Sequence, residues 1–393
     1  MAAENSTSAS PLFSPLQLRG LVLPNRTVIS PMCTYSAVDG VANDWHFAHL
    51  AKFALGGAGT VFVEATAVQA GGGLSRGDTG LWNDAQIAPL QRIAEFCKQT
   101  GAVPAIQLGH AGRKGSSQRP WIGNGPLSDP ERDGGDEAWL TVSAGNKPVN
   151  ENWPDPRELS LDEMDAMRES WRTAAVRARA AGFEIVEVHM AHGYLLHQFL
   201  STVTNTRADS YGGSLENRMR YPLEIAQLVR DTWPDDKPVF VRISAVDEGW
   251  SIDDSIELSK RLKQIGIDVI DCSTGGLGRS PEALRVSRGY GFQVPFSQAV
   301  KTGADVRTMA VGLILDPVLA NSIIANNRAD LVAIGRGALV DPNWPLHARR
   351  SLNEGSRGFE GWPKQYGVWL DQRERVLDRI RAQSTPGESP RSS

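Results

Sequence analysis

The sequence predicts an α/β fold, a single (β/α)8 TIM barrel, on three observations. Eight short runs rich in Val and Ile recur along the chain with little polar alternation, the pattern of parallel strands covered on both faces. Longer amphipathic stretches separate them, and several end at glycine, as helices do. The length, 393 residues, fits one barrel, since α/β barrels run long as single domains. A doubly wound open sheet is the alternative, because strand count alone does not establish closure.

The runs are VISPM (28–32), GTVFVEAT (59–66), VPAIQLGH (103–110), FEIVEVH (183–189), PVFVRIS (238–244), IDVIDCS (267–273), VRTMAVG (306–312) and ADLVAIG (329–335). Helices are expected over 46–55, 84–100, 161–181, 216–232, 253–265, 296–302, 316–327 and 338–351. Ser160 with Glu163 reads as a capping box at the start of the third. Residues 111–160 break the rhythm: they are rich in Gly, Pro, Asp and Asn and carry Trp121, Trp139 and Trp153. Following the third strand, they read as an excursion or lid over the catalytic face, with a plain surface insertion as the alternative. The expected organisation is a disordered N-terminus over 1–11, the barrel over 12–370, and a partly disordered tail over 371–393.

Composition narrows the function classes. Hydrophobic residues make up 41% and charged residues 22%, with a net charge of −4 and the two signs interspersed. That balance gives no footing for a nucleic-acid or membrane-surface partner. Cys33, Cys97 and Cys272 lack metal-type spacing and read as reduced thiols. The first residues lack the apolar run of a signal peptide, so a cytoplasmic location is expected.

Functional groups of such barrels gather at the C-terminal ends of the strands. After the seventh and eighth strands, Gly312 and Gly335 allow close backbone approach, and Arg336 offers a planar charged donor: the makings of a phosphate site. At the fourth strand end, His189 and His192 both face the mouth. Two neutral imidazoles there can donate hydrogen bonds to one substrate oxygen; a metal site would need a third ligand that no neighbouring strand end offers. Tyr194, protonated at neutrality, is a candidate proton donor. Gln107 and Arg242 end apolar strands and can bond a heteroaromatic ring. The glycines at 56–57 and 275–278 lack the dinucleotide spacing, so any nicotinamide cofactor must visit the same mouth.

The segments SPMCTY (30–35), NDWHFAHL (43–50), QLGHAGRK (107–114), VHMAHGYLLHQFL (188–200), DSYGGSLENRMR (209–220) and AIGRGAL (333–339), in this order, resemble the old yellow enzyme flavoproteins. The resemblance runs from about Leu12 to about Leu370. It implies an FMN-dependent reductase of activated alkenes, with NAD(P)H as transient reductant. Pro31, Met32, Cys33, Ala65, Gln107 and Arg242 would line the flavin, and Gly312, Gly335 and Arg336 would hold its phosphate. His189 and His192 would bind the substrate oxygen, with Tyr35 nearby and Tyr194 as proton donor. Cys33 with Tyr35, and His at 192, resemble the branch containing the bacterial xenobiotic reductases. That branch implies a homodimer or homotetramer in which Trp369 reaches a neighbouring subunit's site. The same flavin can run oxidatively, as in a demethylase or dehydrogenase. An aldolase or isomerase would need a lysine or a carboxylate pair at strand ends, and neither stands out. A ligand-binding protein without turnover would not need the histidines and Tyr194.

Overall fold

In the computed structural model the described residues are 10–130, 133–278, 286–352, 358–359 and 361–384. The first described residue, Ser10, donates its hydroxyl to Asn321 Oδ1 (2.6 Å), so Ser10 and Pro11 have a fixed place although they fall in the segment expected to be loose. A hairpin follows, β1 (Leu16–Leu18) and β2 (Leu21–Leu23). Then come β3 (Thr27–Ile29), α1 (Asp44–Leu55), β4 (Thr60–Ala67), α2 (Ile87–Gln99) and β5 (Val103–Gly109). Among its described residues the excursion carries a 3-10 turn (Gly112–Lys114) and the short β6 (Val142–Ser143) and β7 (Arg157–Glu158). The alternation resumes with α3 (Leu161–Ala180), β8 (Ile185–Met190), α4 (Leu195–Leu200), α5 (Leu215–Thr232), β9 (Val239–Ser244), α6 (Ile252–Ile265) and β10 (Val269–Ser273). It ends with α7 (Val294–Ala304), β11 (Arg307–Ala310), α8 (Pro317–Ala325), β12 (Leu331–Ile334), α9 (Arg336–Val340), α10 (Trp344–Leu352) and α11 (Lys364–Ser384).

The strands close into a parallel barrel in the order β3-β4-β5-β8-β9-β10-β11-β12 and back to β3, which decides against the open sheet. Its N-terminal end is plugged by the hairpin. Leu16, Leu18 and Leu23 join Phe62, Ile185, Phe240, Val269 and Met309 in one buried cluster inside the barrel. Arg19 fixes the hairpin tip by reaching Asp268 Oδ1 (2.7 Å) and the carbonyls of Asp235 and Gly266. Side chains alternate along a strand, so the inward positions in the plug layer continue two residues on as Gln107, Glu187, Arg242 and Asp271. The interior therefore turns from apolar at the plugged end to polar at the open end.

The structure refines the expected elements at three points. The stretch 338–351 is two helices, because Pro342 holds Asp341 in an extended conformation (φ −129°, ψ 92°) and ends α9. The tail expected to be partly disordered is helical through Ser384, while 385–393 lie outside the described residues. The short α4, directly after the histidine turn, was not anticipated. Among the described residues no helix is long and apolar enough to cross a membrane.

Candidate active site

At the open end, a cavity of about 420 Å³ runs between the C-terminal ends of β3, β9, β11 and β12. It brings together Pro31, Met32, His192, Arg242, Gly312, Gly335 and Arg336, all expected from the sequence, and adds Arg288 and Gln293, which were not. Its wall holds three guanidinium groups, Arg242, Arg288 and Arg336, and among the described residues no carboxylate. That donor set matches a dianionic phosphate with a ring that carries acceptor oxygens and nitrogens beside it. Gly312 has φ +120°, and a Cβ there would lie 2.9 Å from the Gln293 amide nitrogen, so only glycine brings the backbone this close.

The histidine turn forms one wall. Ala191 N donates to His189 Nδ1 (3.2 Å), so the neutral ring carries its proton on Nε2, which stands 3.3 Å from His192 Nδ1. The Tyr194 ring lies edge-on to His189 at 4.7 Å and to His192 at 6.3 Å. Burial first, then Arg242, holds both imidazoles well below the ordinary histidine range, so both are neutral near pH 7. Burial holds the Tyr194 phenol well above its ordinary range, so it keeps its proton. Among the described residues no group of three or more His, Cys, Asp or Glu side chains is arranged to bind a metal.

His192 adopts φ +59°, a conformation a non-glycine residue holds only when its surroundings fix it. Its N–H donates to Ser244 Oγ (2.9 Å), and its carbonyl accepts from Lys114 Nζ (2.8 Å). Lys114 Nζ also donates to Gly276 O, and Arg113 beside it donates to Leu277 O (3.0 Å). Both belong to the excursion, as does Arg119, which donates to Tyr35 O (3.3 Å), and Trp121, whose ring meets Tyr35 edge-on at 6.1 Å. The excursion thus packs over the mouth. Residues 279–285 of the opposite loop lie outside the described residues.

The segment carrying Cys33 and Tyr35 is tethered by Glu64, which accepts from both Thr34 N and Thr34 Oγ1 at 2.7 Å. Burial, then Asp78 and Glu64, holds the Cys33 thiol well above its usual range, so it stays protonated. Ala65 sits beside Gln107 across a bulge in β4 and lines a small cleft with Tyr194 and Asp78. Trp369 is not brought to the cavity within one chain; it lies on α11, 68% exposed.

Residues 11–355 match the family described as NADH:flavin oxidoreductase / NADH oxidase, which covers most of the chain. The chain belongs to this family. As an NADH:flavin oxidoreductase it is an NAD(P)H:FMN oxidoreductase of the old yellow enzyme type. An NADPH dehydrogenase of Geobacillus sp. (strain WCH70) is 41% identical over 346 residues, 87% of this chain and 94% of its own. Morphinone reductase superposes with a TM-score of 0.73 at 27% identity, covering 88% of this chain and 91% of its own. A 2-naphthoyl-CoA reductase complex gives a TM-score of 0.77 over 88% of this chain and 53% of its own, but at 23% identity that likeness concerns the fold alone.

The cavity of this flavin oxidoreductase fits FMN by its own chemistry: guanidiniums with no carboxylate among the described lining residues, a glycine that admits close approach, and a size within the usual range of ligand pockets. Sequence reasoning passed over Lys114, Arg288, Glu64, Glu187 and Asp271. For the three carboxyl groups a signal existed, since each is an acid inside an apolar strand run. Arg288 sits in an aperiodic loop and gave none.

Proposed function

We propose that this flavin oxidoreductase is an ene-reductase, acting on alkenes activated by a carbonyl or nitro group. The observation that carries the reading is the pair of buried, neutral imidazoles at the mouth, His189 and His192, whose ring centroids lie 5.0 Å apart. Bound FMN supplies hydride chemistry, accepting from NAD(P)H and giving to an electron-poor carbon. The chain's part is to hold the acceptor. A substrate oxygen set against both rings would accept from His189 Nε2–H, in place of its contact with His192 Nδ1, and from His192 Nε2–H, which together stabilise the charge that grows there as the β-carbon is reduced. Neutral rings suit this role, because they donate without losing a proton. Tyr194, protonated and packed on His189, is the group placed to deliver a proton to the α-carbon. Pro31, Met32, Cys33, Ala65, Gln107 and Arg242 surround the ring of the flavin in this reading, and Gly312, Gly335, Arg288 and Arg336 take its phosphate.

The test is spectroscopic. The purified protein, reconstituted with FMN under nitrogen, is expected to lose its visible flavin band on adding NADPH or NADH and to recover it on adding 2-cyclohexenone. A band that bleaches with the nicotinamide but never returns with cyclohexenone, maleimide or a nitroalkene would sink the ene-reductase reading and leave the flavin oxidoreductase standing.

A further inference from the structure

Below the mouth, four adjacent strands each turn one polar side chain into the barrel: Gln107 on β5, Glu187 on β8, Arg242 on β9 and Asp271 on β10. Gln107 stands opposite Glu187 in the register, and Arg242 opposite Asp271. All four are buried. Gln107 Nε2 donates to Glu187 Oε2 at 2.6 Å, Arg242 Nε lies 2.9 Å from Asp271 Oδ2, and Arg242 Nη2 donates to Ser273 Oγ at 3.0 Å. No hydrogen bond reaches Glu187 Oε1, either oxygen of Asp271 or Arg242 Nε, so Arg242 and Asp271 are held as an ion pair. Two carboxyl groups and one guanidinium are therefore enclosed directly beneath the cavity, and neither carboxyl is used by the chemistry described above.

We propose that Glu187 and Asp271 are positioning residues for the bound flavin, fixing the orientation of Gln107 and Arg242 and setting the net charge behind the ring. The inference rests on the flavin reading of the cavity. An amide side chain has two chemically different ends, one donating and one accepting. Glu187 takes one N–H of Gln107 and so fixes which way the amide faces, leaving its carbonyl oxygen and one N–H for a ligand. Asp271 and Ser273 likewise engage one side of the Arg242 guanidinium and leave the rest as donors. The ligand thus meets an acceptor from Gln107 and a donor from Arg242, in an order that the carboxyl groups enforce.

Charge follows from the same arrangement. Burial, and for Glu187 the neighbouring Asp271, pushes both carboxyls above the ordinary range, while Arg242 opposes the shift. The charged and titratable groups facing them are each other and Arg242; His189, two residues along β8, is neutral. Holding one proton, the cluster is neutral overall; with both carboxyls ionised it carries one net negative charge. Negative charge added to a ring above the cluster is tolerated in the first state and opposed in the second.

The test measures the midpoint potential of the FMN-loaded protein by spectrophotometric titration with dithionite, from about pH 6 to about pH 9. It compares wild type with Glu187→Gln and Asp271→Asn, alongside FMN affinity from fluorescence. Wild type is expected to show an extra fall in potential toward alkaline pH that is lost in Glu187→Gln. Glu187→Leu, which strands the Gln107 amide, is expected to weaken FMN binding about tenfold relative to Glu187→Gln. Variants that track wild type in potential at every pH and in FMN affinity would overturn the inference alone. Wild type that takes up no FMN would instead overturn the cofactor reading. If Glu187→Gln does not fold, the wild-type curve decides: no extra alkaline slope sinks the proposal.

Discussion

Lys114 Nζ donates to the His192 carbonyl oxygen across 2.8 Å, tying the excursion after β5 to the turn that carries His189 and His192. The same ammonium reaches Gly276 O, and Gly276 sits so close that a Cβ there would lie 2.4 Å from His192 Cα. Three loops thus meet at one cation, and His192 holds its left-handed backbone at that junction. Lys114→Met should free the turn, which forms one wall of the cavity, without removing any side chain that lines it. Turnover is expected to fall about tenfold or more, the worth of a charge-assisted hydrogen bond to a buried acceptor, with FMN content unchanged. Steady-state kinetics with an absorbance check of bound FMN measures both, and wild-type turnover would show that the tie is ornamental.

His189 and His192 share one task, so their effects should not add. Each alanine replacement is expected to lower turnover of an enone by about a hundredfold or more, the cost of losing one donor to a developing oxyanion. The double variant should be little worse than the poorer single one, while FMN stays bound. Stopped-flow measurement of the oxidative half-reaction isolates this step from reduction by NAD(P)H. Full additivity of the two losses would mean that the rings act on different atoms.

The phosphate end makes a separate prediction. Arg336 and Arg288 reach the cavity from different segments, so either alone can be removed without dismantling the barrel. Arg336→Ala is expected to weaken FMN binding about ten- to hundredfold, through loss of a charge-assisted contact. Equilibrium dialysis of FMN reads this directly. Affinity equal to wild type would place the phosphate elsewhere.

Much of this was legible in the sequence, for identifiable reasons. Buried parallel strands leave unbroken apolar runs, and the eight runs locate the eight barrel strands to within a few residues. Gly312, Gly335 and Arg336 were readable because strand ends converge wherever a barrel closes. What was not legible depends on contacts between distant segments. The partners of Lys114 are 78 and 162 residues away, and no local pattern encodes them. Glu187 and Asp271 were visible as acids but not as a pair, because only the register of β8, β9 and β10 sets them around one arginine. The hairpin plug was missed because its strands of three residues each are too short to show alternation.

Helix α11 bears on assembly. Trp369, Val376 and Ile380 recur at helical spacing and are 68%, 49% and 52% exposed. An apolar stripe of this kind on a terminal helix calls for a covering surface, and a second copy of the chain is the proposed one. Replacing Val376 and Ile380 together by Glu should shift the protein to a smaller species in sedimentation velocity, while FMN content is kept. If wild type already sediments as a monomer, α11 has no such role and Trp369 cannot serve a neighbouring site.

Stability should fall as the medium becomes alkaline, and Glu64 should account for part of the fall. Burial raises its carboxyl from 4.5 to about 8 in the folded chain. A group raised in this way contributes stability that is fully present below its unfolded value and is lost as pH rises through its folded value. Over that interval the folded state alone keeps the proton, and stability falls by up to about 1.4 kcal/mol per pH unit for each such group. Buried histidines act in the opposite sense but in a different window. His46, His49 and His110 are lowered to about 4 and His197 to about 3, so their contribution is lost as pH falls from 6.5, and above about pH 7.5 they titrate in neither state. Between about pH 7 and about pH 8 the carboxyl groups therefore dominate. Glu64→Gln, which keeps an acceptor for Thr34, is expected to flatten the alkaline decline in melting temperature at saturating FMN relative to wild type. A decline equally steep in the variant would show that Glu64 is already ionised in the folded protein at neutral pH.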